Sequence, residues 1–131
     1  MEELKAMRRP VFGKPLKTKR VPAYQPKNPS EAARNKQQAV SAIGDGLCLT
    51  LTYHGYHRVV EVHTVGTTTA GRPAMSAFQV DGQSETPPVP DWGLFCFDEC
   101  FNVALSNIPS SAPRPDYKKR AKQFRLIDRE V

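Results

Sequence analysis

The stretch "LCLTLTYHGYHRVVEVHTVG", residues 47–66, decides the fold. Leu47, Leu49, Leu51 and Tyr53 alternate with Cys48, Thr50 and Thr52, the period-two pattern of a half-buried strand. His54-Gly55 offers a tight turn. The alternation then resumes, with Tyr56, Arg58, Val60 and Val62 on one face and His57, Val59, Glu61 and His63 on the other. This is a β-hairpin whose second strand carries a dense set of His, Tyr, Arg and Glu side chains.

Downstream, "TTTAG" (67–71) is a second turn, and it leads into a strand, "RPAMSAFQV" (72–80). "DG" at Asp81 signals a third turn. The proline-rich "ETPPVPD" (85–91) cannot be a central strand, because proline donates nothing to a ladder. "WGLFCFDE" (92–99) reads as the next strand, with "CFNVALS" (100–106) continuing it after a bend. "SSAPRPDY" (110–117) is a loop. In "QFRLIDREV" (123–131), Phe124, Ile127 and Val131 have helical spacing while Phe124, Leu126 and Asp128 alternate; a last short strand is the expectation.

Upstream, "SEAARNKQQAVSAIGDG" (30–46) has Ser30 as N-cap and Glu31 in the first turn. Ala32, Ala39, Val40 and Ile43 form its apolar stripe, and Gly44 offers an end, so the expected helix spans 31–43. Residues 1–29 carry prolines at 10, 15, 22, 26 and 29 among lysines and arginines, a composition that propagates neither helix nor ladder. They read as an extended arm, and residues 30–131 as a single domain with a basic tail over 109–131. The fold class expected is mainly β: a small, highly twisted antiparallel barrel preceded by one short helix.

The chain has 131 residues and a net charge of +6. Its charge is segregated. Residues 1–37 hold ten basic and three acidic side chains, 38–108 hold two and seven, and 109–131 hold seven and three. Basic arms therefore flank a mildly acidic centre, which favours an anionic partner. Three cysteines argue against a disulfide framework. No run approaches the ~20 apolar residues of a membrane span, and residues 1–13 lack the apolar core of a secretory signal. A cytoplasmic location is the expectation.

His54, His57 and His63 with Cys96 and Cys100 lack the paired close spacing of a zinc site, so no metal or other cofactor is expected; the histidines read as residues of a half-exposed hairpin. Cys48 and Cys96 read as small core residues. There is no glycine-rich phosphate loop and no nucleophile elbow, and the adjacent Asp98 and Glu99 diverge on a strand. A non-enzyme follows. Arg58 is one of two basic residues in the acidic centre. On a rigid strand beside an aromatic, it can bind a carboxylate or phosphate or stack under a base; the alternative is a salt bridge to a neighbouring strand. Trp92 either lines a pocket or closes one end of the core.

The order of residues in 51–84 and 92–106 resembles a WYL domain. Tyr53, Arg58, Glu61, Gly66, Gly71, Phe95 and Asp98 match the family pattern in order and spacing, and the resemblance covers about residues 40–108. The naming tryptophan-tyrosine-leucine is replaced by Pro73-Ala74-Met75. Gly93 and Glu99 stand where arginines are usual. The resemblance implies an Sm-like β-barrel of bacterial or phage origin, a regulatory module that binds nucleic acid or a nucleotide-like ligand. The expected binding residues are Tyr53, Arg58, His63, Trp92 and Arg72. Arg8, Arg9, Lys17, Lys19, Arg20, Lys118, Lys119 and Arg120 are expected to contact phosphates from the arms. Nucleic acid is the preferred partner; the alternative is an acidic protein surface or self-assembly.

Overall fold

The computed structural model describes residues 28–85 and 89–131. The arm over 1–29 therefore lies outside the described residues except for its last two, and with it Arg8, Arg9, Lys17, Lys19 and Arg20.

Helix α1 spans Pro29–Asp45, longer at both ends than the expected 31–43. Asn28, not Ser30, is the N-cap: its side chain accepts from the Glu31 N–H, and Pro29 takes the first helical turn, where its missing donor is harmless. Gly46, not Gly44, ends the helix in the left-handed region at φ 67°. Ala32, Asn35, Ala39 and Ala42 are its buried residues, on one helical face. Asn35 donates to Phe97 O and Cys100 O at 2.9 and 3.0 Å, tying the helix to the sheet corner described next.

Six antiparallel strands follow among the described residues: β1 (Leu47–Tyr53), β2 (Tyr56–Thr68), β3 (Pro73–Gly82), β4 (Asp91–Cys96), β5 (Cys100–Pro109) and β6 (Phe124–Glu130). A 3-10 turn, Phe97–Glu99, forms the bend between β4 and β5. The order is β4-β3-β2-β1-β5, with β6 also on β2, and the sheet is not closed. The expected hairpin is present, with Tyr53 opposite Tyr56, and the C-terminal segment is the short strand expected. The Asp81-Gly82 pair is not a free-standing turn, since β3 runs through it and Gly82 pairs with Arg58.

Strand β2 organises the sheet. β3 runs along Arg58–Thr67, while β1 takes Tyr56–Val60 and β6 takes Thr64–Thr68 on the other edge. Register shifts at Val59/Val60 and Val62/Thr64 bend it. The core lies between α1 and the sheet and includes Leu49, Leu51, Val60, Val65, Met75 and Phe97. β2 is buried on both faces from Arg58 to Gly66. One face meets this core, and the other is covered by the 110–123 connection, through Ser111, Arg114 and Tyr117. Among the described residues, no helix is long and apolar enough to cross a membrane.

Candidate functional site

Arg58 is 5% exposed. Its guanidinium carbon lies 5.5, 5.7 and 5.6 Å from the ring centroids of Tyr53, Tyr56 and Phe95, an aromatic surround that favours a cation. Nη2 donates to Tyr53 O at 3.0 Å and to Glu85 Oε1 at 2.6 Å, and Nη1 donates to Gln79 Oε1 at 3.4 Å. Gln79 is fixed in that orientation because its amide donates to Asp81 O and Gln83 O. Among the described residues, the buried Arg58 Nε has no hydrogen-bond partner. A cleft of about 230 Å³ opens beside these groups, walled by Tyr53, Phe95, Trp92 and Leu94, with Glu85 at its edge.

From Arg58 a chain of alternating charges runs across the surface. Glu85 Oε2 meets His54 Nδ1 at 2.8 Å, and His54 Nε2 meets Glu99 Oε1 at 2.9 Å. Arg72 Nη2 then donates to Glu99 and Asp98 at 2.8 and 3.0 Å. A carboxylate only accepts, so both His54 nitrogens must donate, and the ring is the imidazolium. Glu99 and then Glu85 accordingly raise the His54 pKa. Arg58, and after it His54, holds the Glu85 carboxyl down at about 2. Arg72, and after it His54, does the same to Glu99, also at about 2.

A pH dependence of stability follows. The folded pKa of His54 lies above its unfolded value near 6.5. Its contribution is therefore complete below about pH 6.5 and lost as pH rises through the raised folded value. The carboxylates contribute above their ordinary range of about 4 to 4.5 and lose this only as pH falls towards 2. His54 has φ 52°, so asparagine, which tolerates that region, is the substitution that isolates the charge. The melting-temperature gap between wild type and His54→Asn should be wide near pH 5.5 and narrow near pH 8.5. A gap that does not change with pH would rule the bridge out.

His63 lies elsewhere. It is 0% exposed; its Nδ1–H donates to Glu61 O at 2.9 Å, and its Nε2 accepts the Arg114 N–H at 3.0 Å. That pattern fixes the neutral tautomer, consistent with burial pushing its pKa down. Its ring touches Trp92 and Tyr117 at 4.6 and 5.0 Å between centroids. Trp92 Nε1 donates to Asp116 Oδ2 at 2.8 Å, which anchors the 110–123 connection against β4. Beyond Trp92 a second cleft, of about 240 Å³, is lined by Trp92, Tyr117, Lys118 and Gln123. Trp92 is thus the shared wall of two adjacent clefts.

Neither the known protein-family models, nor the curated proteins, nor the solved structures contain a match to this chain.

Of the residues singled out in the sequence, Tyr53, Arg58 and Trp92 share the first cleft. Arg72 sits on the far side of the charge chain with Asp98 and Glu99. Lys118 lines the second cleft, and Lys119 and Arg120 follow it on the surface, both exposed. Sequence reasoning missed Glu85, Gln79 and Tyr117. The only sequence signal for Glu85 was its place in an acidic centre that holds just two basic partners. Among the described residues, no three His, Cys, Asp or Glu side chains form a group that could hold a metal ion. Burial pushes up the pKa of all three cysteines, Cys100 to about 12, so they are poor nucleophiles.

Proposed function

We propose that the chain is a non-enzymatic regulatory module, WYL-like and related to the Sm-like barrels. It recognises nucleic acid or a nucleotide-like anion through the Trp92 surface and its basic segments. Supporting the barrel relationship are the helix-first element order, the bent β2 and the sharp corner between β4 and β5. The observation that carries the function is the position of Trp92. Its indole lines both the cleft that holds the buried arginine and the cleft lined by Lys118, at the start of the run Lys118-Lys119-Arg120. A half-buried aromatic between cationic groups is an arrangement that can stack a base while neighbouring charges hold phosphates. Arg8, Arg9, Lys17, Lys19 and Arg20 belong to the same proposal as further phosphate contacts.

The test is fluorescence anisotropy of labelled single- and double-stranded oligonucleotides over a salt series. Each phosphate contact on a single strand contributes about 0.7 to the slope of log K against log salt. Replacing Lys118, Lys119 and Arg120 together by alanine should therefore lower the slope by about 2. An unchanged slope would take this segment out of the interface. The second possibility, a protein partner or self-assembly, is favoured by β5, where Phe101 and Ile108 are 60% and 44% exposed on a strand that ends the sheet order. Absence of oligonucleotide binding, with mass in light scattering that rises with protein concentration, would favour it.

A further inference from the structure

We infer that the Arg58 cleft takes the terminal phosphate of a nucleic-acid strand or nucleotide, and that Glu85 is a tethered competitor for that place. This rests on the nucleic-acid partner proposed above and specifies which part of it enters the fold.

Three observations lead here. First, access is narrow. The Arg58 side chain is 6% exposed and lies beside a cleft of about 230 Å³, smaller than the ~300–1,000 Å³ typical of small-molecule sites. A mid-strand phosphodiester is flanked by two sugars and cannot bring its oxygens that deep. A terminal phosphate, attached on one side only, can. Second, the guanidinium has donor capacity to spare. Glu85 takes one N–H through Nη2, and among the described residues Nε has no acceptor. A phosphate monoester presents more oxygens than a carboxylate and suits the guanidinium fork.

Third, Glu85 is positioned to leave. Its side chain is 46% exposed, against 6% for Arg58, and it sits on the connection between β3 and β4 rather than in the sheet. Its carboxylate can swing into water without unpacking the core. Once it moves, the incoming group meets a guanidinium backed by the buried Tyr53 and Phe95 rings, and the half-buried Trp92 on the same cleft suits the attached base. The rest of a strand continues past Trp92 towards Lys118.

The experiment uses the full chain and one single-stranded oligonucleotide in three forms: 5′-phosphorylated, 3′-phosphorylated and unphosphorylated. Binding to wild type and to Glu85→Gln is measured by anisotropy. A phosphorylated end should bind about tenfold more tightly than the bare one, the size of a charge-assisted hydrogen-bond gain. That preference should grow several-fold further in Glu85→Gln, which keeps the shape at the mouth but removes the competing charge. Competition by a free mononucleotide identifies a nucleotide as a source of the phosphate; competition by the phosphorylated oligonucleotide alone identifies a strand end, and either supports the inference. Oligonucleotide binding with no preference for a phosphorylated end in either protein overturns it while leaving the proposed function standing. A preference that Glu85→Gln does not increase overturns the role given to Glu85. No oligonucleotide binding at all overturns the proposed function itself, and this inference with it.

Discussion

Gly66→Ala is expected to destabilise the protein by about 3 kcal/mol or more and to detach β6. Gly66 lies in β2 opposite Ile127 of β6 and Ala74 of β3. A Cβ added there would stand 2.1 Å from Leu126 O, 3.0 Å from Ile127 Cα and 3.1 Å from Leu126 C. These are backbone atoms of a paired strand, so no rotamer change relieves the overlap; β6 must move. What moves with it makes the effect large. The 110–123 connection is strung between β5 and β6, and it supplies the groups that satisfy the outer face of β2. Arg114 and Ser111 bond the 2%-exposed Glu61 at 2.7 Å each, and the Arg114 N–H bonds the fully buried His63. Releasing β6 loosens those partners, and buried polar groups left without them cost about 1–3 kcal/mol apiece. Urea denaturation gives the stability, and amide exchange along Phe124–Val131 shows whether β6 has opened. A loss below about 1 kcal/mol with protected β6 amides would mean that β6 does not cross Gly66 this closely. Salt-dependent oligonucleotide binding should fall in the same variant, because Lys118–Arg120 lie on that connection.

How much of this was legible in the sequence depends on how local the cause was. The β1–β2 hairpin was readable because strand period and a two-residue turn are encoded within twenty residues. The bend between "WGLFCFDE" and "CFNVALS" was readable for the same reason. The helix ends were misplaced by competition between neighbours: Asn28-Pro29 and Ser30 are both good starts, and Gly44 and Gly46 both plausible stops. Packing at the corner, through Asn35, decided nothing that a propensity could show. The two-sided burial of β2 was not readable. Its outer cover is the irregular 110–123 stretch, which has no periodicity and reaches Glu61 and His63 from fifty residues away. The WYL resemblance groups Tyr53, Arg58, His63 and Trp92 on one surface; Tyr53, Arg58 and Trp92 do share a cleft, but His63 is buried away from it. The Glu85 partner was not readable, because a loop carboxylate twenty-seven residues from Arg58 leaves no pattern. The same limit hid the division between His63, sealed behind Trp92, and the open cleft in front of it.

Arg58→Ala is expected to weaken binding of a phosphorylated oligonucleotide by about 10- to 100-fold, the worth of hydrogen bonds to a charged group. It should also lower stability by about 1–3 kcal/mol, since Tyr53 O and Gln79 Oε1 each lose a donor and the space among the Tyr53, Tyr56 and Phe95 rings empties. Removing one member of a fully buried ion pair would cost more. Here Glu85 is exposed at the cleft mouth, so its carboxylate returns to water, and the variant should remain folded at room temperature. Because stability and binding both change, Arg58→Lys separates them. Lysine keeps the charge and much of the aliphatic packing but loses the planar fork. It should recover most of the melting temperature and little of the preference for a phosphorylated end. If folded Arg58→Ala binds as wild type does, the cleft takes no part in recognition, and affinity resides in the basic segments alone. If Arg58→Lys restores binding fully, charge suffices, and the bidentate guanidinium geometry is not what the site uses.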